Sequence, residues 1–555
     1  MVNPLSRQAD PANPDSLESA SSSPPPVRLA GLWRKILINT ILELLIISLW
    51  AAWVGRSYLN LDPKLIPTGL EFGTLLQNQL IWSFLSKCGS CVMWNGVVNG
   101  GAPSFVNIHP VVLHPLIVFT NLIWGGINGT KIALVCALAM AGLGQWWLAK
   151  VLKLGTVPRL WSAMLVVAGG HLAGRMEYGI ISAVVSTAAV SLVFAPALEL
   201  ALYGRRRSAI WLGVMLALTV LSAGGYMQIG LLVAIAPAYL VFLLFPADDR
   251  PRPRALLREL GVALLVAALF SAVMWVPVVH FWPKFVKELD PNIPGRQNIA
   301  YLLFNLVIKD YAYFHSTILE KLPYPFMYIN YIGWIPILLA LVAWRVLPKN
   351  KRLILAFLLV AIGLVCLASS GLTFRALALV IPQTASAIRH PSLILGLAVP
   401  LIIALSAMGL ESLWQSRIAP ILVSLVANGK TRVLHLKPIV FAQALLLIPL
   451  IWSLYSAGTF ASSWLRTDKP GETDYQIVAA LKTDSAQWVS TPFGEIYWVQ
   501  IASAMQLKLA YIMRPWTFRD RTTPPSYLAA TRDKKALADP NYIKTIGDIY
   551  LIANP

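Results

Sequence analysis

Apolar residues run through this chain in long stretches, separated by short segments rich in arginine, glycine and proline. A membrane helix needs about 20 mainly apolar residues, somewhat fewer where the bilayer adapts to a shorter span. Stretches of that kind lie near residues 36–54, 131–149, 159–174, 178–202, 209–223, 227–245, 256–277, 330–347, 353–370, 391–413 and 438–458. They predict about eleven transmembrane helices and an all-α, polytopic membrane protein. The stretch from Ile36 to Val54 is long for a signal-peptide core, and no small-residue cleavage site follows it. It reads as a retained first helix.

The basic residues orient these spans. They cluster in alternate loops: Arg34 and Lys35; Lys150, Lys153 and Arg159; Arg205, Arg206 and Arg207; Arg250, Arg252, Arg254 and Arg258; Arg345, Lys349, Lys351 and Arg352; Arg417, Lys430, Arg432 and Lys437. The positive-inside rule makes those loops cytoplasmic. The amino terminus is then expected inside and the carboxyl terminus outside. An extra span at 110–125 would invert everything downstream, so that segment is expected to be interfacial or re-entrant. Three long pieces face outward: about 55–130, 278–329 and the tail from 459.

Domain organisation follows. Residues 1–30, with Pro24-Pro25-Pro26 and a serine-rich stretch, are expected to form a disordered cytoplasmic tail. Residues 31–458 form the membrane domain. Residues 459–555 are far more polar and contain strand-like runs at Ile496-Tyr497-Trp498-Val499 and Ile549-Tyr550-Leu551-Ile552. A small extracytoplasmic α/β domain is expected there.

Composition agrees with a bilayer setting. Of 555 residues, 57% are hydrophobic and only 13% charged, against about 25% charged in soluble domains. The net charge of +20 sits in loop clusters between apolar runs, not on a basic face with interleaved aromatics, so nucleic acid is not the expected partner. No P-loop, H-E-x-x-H, G-x-S-x-G elbow or dinucleotide fingerprint is present.

The candidate chemistry lies in the outer segments. Asp62, followed by Pro63, is a lone carboxylate shortly after the first span. It reads as a general base or metal ligand facing a lipid-linked substrate, or as a helix-terminating Asp-Pro turn. An amphipathic stretch from Gly69 to Leu85 suits an interfacial helix. Beyond it, Trp94-Asn95 leads through a Gly/Asn/Pro cluster to Asn107 and His109, a sequence that forces tight turns. Cys88 and Cys91 form a C-x-x-C without a thioredoxin-like surround, and read as a disulfide staple or two free thiols. His171, Arg175 and Glu177 fall between two apolar runs, where ionisable groups face a cavity or one another. Arg175 suits a phosphate, because its planar fork matches phosphate oxygens; the alternative is an Arg175–Glu177 pair capping a hairpin. Ala223-Gly224-Gly225-Tyr226-Met227-Gln228 breaks another outer hairpin, with Gln228 a hydrogen-bonding group or the segment simply close small-residue helix packing. Arg389, before His390-Pro391, is a second cation at the outer boundary or an interfacial anchor.

In order and spacing between spans, these residues resemble the bacterial YfhO-like membrane proteins of the GT-C glycosyltransferase superfamily. The resemblance runs over roughly 36–413: Asp62, Trp94-Asn95 with Gly101-Ala102-Pro103 and Asn107, the His171/Arg175 hairpin, Gly224-Gly225-Tyr226-Met227-Gln228, Tyr331-Ile332-Gly333-Trp334-Ile335-Pro336, and Arg389-His390-Pro391-Ser392 through Gly409-Leu410. That family commonly has Gly-Asp where this chain has Leu61-Asp62, and a Gly-His-Gln-like turn where it has Gly225-Tyr226-Met227-Gln228. The Cys88/Cys91 pair is not part of the family pattern.

The resemblance implies transfer of a sugar from a polyprenyl-phosphate carrier to a glycan, lipid or protein acceptor at the outer face of the bacterial cytoplasmic membrane. Asp62 would activate the acceptor, while Arg175, Arg389 and His171 would hold the lipid phosphate. Glu177, Trp94, Asn95, Asn107, His109 and Gln228 would complete the substrate site. Some GT-C enzymes use a divalent metal and others do not, and one aspartate does not decide between them. Two competing readings are a non-catalytic GT-C-like subunit of a membrane complex and a lipid or glycan transporter. Polar residues at the outer span ends rather than at midplane favour surface chemistry over transport.

Overall fold

The computed structural model describes residues 27–69, 71–73, 76, 80–85, 89–95, 102–104, 111–223, 225–245, 251–281, 283, 285–287, 298–314, 328–346, 351–380, 390–415, 421–427, 430–436, 438–484, 488–490, 501–502, 505, 507–511, 516–518 and 527–554. By its internal contacts the chain divides into residues 1–46 and 47–555. The first unit is helical from Val27. The expected disordered tail lies outside the described residues up to residue 26.

Each apolar stretch coincides with a helix. The helices are Val27–Val54, Pro115–Val151, Thr156–Val167, Ile181–Tyr203, Arg206–Leu221, Tyr226–Leu244, Pro253–Phe281, Trp334–Val346, Arg352–Ser369, Pro391–Trp414 and Pro438–Trp464. Among the described residues, 7 are long and apolar enough to cross a membrane, or 8 if Pro253–Phe281, bent by 72°, counts as one span. Thr156–Val167, Arg206–Leu221 and Trp334–Val346 have 12, 16 and 13 residues, short of the length a bilayer requires unaided. The protein is a multi-pass membrane protein. Leu264, Leu265, Leu269 and Phe270 lie exposed together along Pro253–Phe281, an apolar face that suits lipid rather than water.

Small residues let the spans approach closely. Pro115–Val151 packs along Ile181–Tyr203, and a Cβ on Gly144 would fall 2.7 Å from the Ser191 backbone. Pro391–Trp414, wholly buried, packs on Trp334–Val346. The Glu411 carboxylate accepts from Gly155 N at 2.8 Å, capping Thr156–Val167, whose N-cap residue has no side chain to do so.

Pro115–Val151 is broken at Gly125, which sits at φ 75, ψ 176. A Cβ on Gly129 would lie 2.5 Å from Thr120 O, whereas nine residues of straight helix would separate them by about 13 Å. The piece 115–124 therefore doubles back beside the main span. This is the segment the charge pattern required to be interfacial or re-entrant. Of the amphipathic stretch Gly69–Leu85, the described residues hold only the short 3-10 helix Leu80–Phe84 and isolated helical turns. Trp82 Nε1 donates to Val112 O at 2.8 Å there.

After Pro438–Trp464 the chain forms the small mixed domain expected from the tail. Helix Glu472–Asp484 accompanies a five-stranded sheet of Tyr542–Ile546, Ile549–Asn554, Tyr527–Thr531, Trp488–Ser490 and Leu509–Tyr511, in that order. The last three strands run parallel and the first three antiparallel. Val489, Leu528, Ile549 and Leu551 are buried with Ile477, Val478 and Leu481 of the helix. Ile496–Val499 lies outside the described residues. Phe285–Lys287, from the second long loop, pairs with Trp516–Phe518.

Candidate functional site

The first span ends at Val54 and passes through a 3-10 turn, Arg56–Leu59, into the loop that carries Asp62. Asn60 Oδ1 accepts from Asp62 N at 3.0 Å, and Asp62 Oδ1 accepts from Lys64 N at 2.9 Å. These interlocked side-chain turns leave the Asp62 carboxylate exposed to solvent but fixed in direction. Beneath it lies buried Lys131, whose Nζ donates to the carbonyls of Asn60, Asp62 and Leu65 at 2.6, 2.9 and 3.1 Å. Asn128 Nδ2 donates to Leu61 O at 2.7 Å.

The second element is the break after Thr156–Val167. Gly169-Gly170 stops the helix, and Gly170 N donates to Tyr331 O at 2.9 Å. Two short turns follow, Gly170–Ala173 and Gly174–Glu177. A side chain on Gly170 would strike the Tyr331 backbone nitrogen at 2.7 Å, so glycine sets this close approach. His171 and Arg175 are fully buried, facing Gly396, whose Cβ would lie 3.7 Å from His171 Cβ and 3.8 Å from Arg175 Nη2. Arg175 Nη2 donates to Asn330 Oδ1 at 2.9 Å, and Asn330 Nδ2 donates to Tyr328 O at 2.9 Å. Arg175 Nε and Nη1 and both ring nitrogens of His171 have no partner among the described residues. A buried cation with free donors is costly unless something compensates it.

Glu177 does not pair with Arg175, the alternative the sequence left open. It forms an ion pair with Arg466 at 2.8 Å. The reason is location: Arg175 points inward to Asn330, while Glu177 is at the surface beside the carboxyl-terminal end of Pro438–Trp464. The same seam holds the Asp62 loop. Ile66–Pro67 pairs with Thr467–Asp468, Thr68 N donates to Arg466 O at 3.0 Å, and Glu71 N donates to Tyr178 O at 2.8 Å. The Asp62 loop, the Arg175 turn and the entry to the carboxyl-terminal domain thus share one end of the helical body.

The remaining candidates divide. Gln228 Nε2 donates to Thr219 O at 2.6 Å and also to Ala223 O, closing the hairpin before Tyr226–Leu244. Tyr226 OH accepts from His390 N at 3.2 Å, which brings this hairpin to the start of Pro391–Trp414. Trp94–Asn95 pairs with Ala102–Pro103, with Trp94 exposed and Asn95 buried. Cys88, Asn107, His109, Arg389 and the side chain of Cys91 lie outside the described residues. Among the described residues, no group of three or more His, Cys, Asp or Glu could hold a metal.

Lys131, Asn330 and Arg466 escaped the sequence reading. Lys131 carried a signal: a single cation opening an apolar run is a functional candidate by default.

No family model and no curated protein matches the chain. Solved structures do. ArnT from Cupriavidus metallidurans in the apo state superimposes with a TM-score of 0.52 at 12% identity, over 95% of this chain and 98% of that one. The chain has the fold of ArnT. ArnT bound to undecaprenyl phosphate gives a TM-score of 0.49 at 11% identity, over 94% and 98% of the two chains. The mycobacterial arabinofuranosyltransferase AftD gives 0.46 at 14% identity, over 81% of this chain but 29% of its own. This chain therefore spans less than a third of AftD. At such identities the likeness is one of fold.

Proposed function

We propose that this GT-C chain is a glycosyltransferase of the YfhO-like kind, moving a sugar from a polyprenyl-phosphate donor to a cell-envelope acceptor. The basic loops support placing the site on the extracytoplasmic face of the bacterial cytoplasmic membrane. The observation that carries the reading is the fixed, exposed Asp62 carboxylate at the end of the first span, in a GT-C fold. Asp62 takes the proton of the acceptor hydroxyl as its oxygen attacks the anomeric carbon. The sugar–phosphate bond breaks, and the polyprenyl phosphate leaves with the electron pair. Cations that meet that developing charge lower the barrier most.

Arg175 and His171, with free buried nitrogens, and Arg389 are the proposed partners of the phosphate. Reaching Arg175 requires the segment beside Gly396 to shift. That segment, Pro391–Leu397, is a 3-10 run of 7 residues, longer than such runs usually are, with hydrogen-bond geometry poorer than an α-helix. Glu177, Trp94, Asn95, Asn107, His109 and Gln228 are proposed to shape the surrounding substrate site. The lipid class is supported by ArnT, which has been solved bound to undecaprenyl phosphate. Full burial of Arg175 favours a second reading, a GT-C-like subunit that has lost catalysis.

The test is transfer of labelled sugar from a polyprenyl-phosphate donor by purified protein in nanodiscs, and envelope glycan in cells at equal protein level. Asp62→Asn is expected to reduce transfer by about 100-fold or more, the scale of general-base catalysis. Wild-type rates in Asp62→Asn would sink the assignment, and an inactive wild type would favour the subunit reading.

A further inference from the structure

We propose that Lys131 is a tethered cation that positions the Asp62 carboxylate, performing with a side-chain ammonium what oxygen-lined loops often do with a bound metal ion. This rests on the transferase reading above. An ammonium has three N–H donors and no acceptor. All three find carbonyls, at 2.6, 2.9 and 3.1 Å. The three carbonyls belong to Asn60, Asp62 and Leu65, all within the loop that presents the carboxylate. One of them is Asp62's own.

Helix packing alone does not call for a lysine here. Its neighbours Ala133, Leu134 and Val135 are buried apolar residues, and a buried charge on a membrane helix is retained where it has a task. Asn128, one turn earlier, adds the carbonyl of Leu61 to the same grip. The helix therefore holds four of the carbonyls between residues 60 and 65, and the Lys64 N–H then fixes Oδ1 of Asp62. Such a loop has its cation built in, so its geometry does not wait on metal binding.

The experiment compares Lys131→Met, Asp62→Asn and the double variant in nanodiscs. Lys131→Met is expected to lower kcat by about tenfold or more, as misplacement of a reacting group does, with KM for the lipid donor unchanged. In the Asp62→Asn background it should add nothing, because the group it positions is already gone. Amide exchange at 62–65 should accelerate in Lys131→Met while that at 170–178 does not. In Lys131→Ala, propylammonium, which replaces the missing atoms, should restore part of the rate.

A Lys131→Met variant with wild-type kcat, or equal losses in the Asp62 and Asp62→Asn backgrounds, would overturn the inference. If Asp62→Asn meanwhile abolishes transfer, the transferase reading still stands. An inactive wild type would remove that reading instead, and unchanged exchange at 62–65 would then overturn the clamp on its own evidence.

Discussion

His114 shows how much a single buried side chain here depends on its protonation state. It precedes Pro115–Val151 as the N-cap, and its Nδ1 accepts from Leu116 N at 3.3 Å. Burial pushes its pKa down from 6.5 to about 4. The unfolded chain therefore binds the proton first, and stability is full above 6.5 and falls as pH drops from 6.5 towards 4. The slope reaches at most about 1.4 kcal/mol per pH unit, the limit for one proton, and that proton on Nδ1 removes the cap acceptor. His114→Asn keeps an acceptor that does not titrate. Its melting temperature in detergent should fall less between pH 7 and pH 5 than that of the wild type, and an equal fall would refute the assignment. His114 drew no notice in the sequence, since a histidine before a proline looks like any loop residue. Asp62 and Arg175 did stand out, because each is a charge beside an apolar run. Their surroundings were less legible. That Arg175 is sealed against Asn330, about 155 residues on, depends on tertiary packing that no local pattern encodes.

At the scale of helices, legibility was high where apolar length alone decides and low where a glycine does. All eleven stretches are helical because a chain in lipid must satisfy its backbone within the segment. Their ends moved where glycine intervened: the stretch near 159–174 stops at Val167 before Gly169-Gly170, and the one near 131–149 extends back through the Gly125 break to Pro115. Glycine also sets how near two spans come. A Cβ on Gly409 would lie 2.0 Å from Leu339 O, so Gly409→Ala must push Trp334–Val346 away from Pro391–Trp414. The expected cost is about 1–3 kcal/mol, typical of overpacking, read as a lower melting temperature. Gly363, on Arg352–Ser369, has nothing within 4 Å of its Cβ position. There alanine should be neutral or stabilise by about 0.5–1 kcal/mol, from helix propensity alone. Equal effects at the two positions would show that close packing is not what fixes Gly409.

For the whole molecule, the open matter is how the carboxyl-terminal domain stays in register with the Asp62 loop. The tethers at this seam include the pairing of Ile66–Pro67 with Thr467–Asp468, the Lys64–Glu472 ion pair at 3.6 Å and the Glu177–Arg466 ion pair. Arg466 is 54% exposed and Glu177 17%, so the pair is worth only about 0.2–1 kcal/mol. Its importance is geometric, because Arg466 also accepts Thr68 N through its carbonyl and so links the Arg175 turn to the Asp62 loop. Arg466→Glu sets two carboxylates against each other at that link. It should loosen the seam, seen as faster amide exchange at 66–68 and slower sugar transfer, with little change in global melting temperature. The double reversal, Glu177→Arg with Arg466→Glu, restores attraction and should recover most of both. Recovery would make the charge pair the coupling between domain and site. If both single variants lose activity and the swap recovers none of it, the coupling runs through the other tethers, and Asp468→Pro, which removes the N–H facing Ile66 across the strand pairing, should then reproduce the loss.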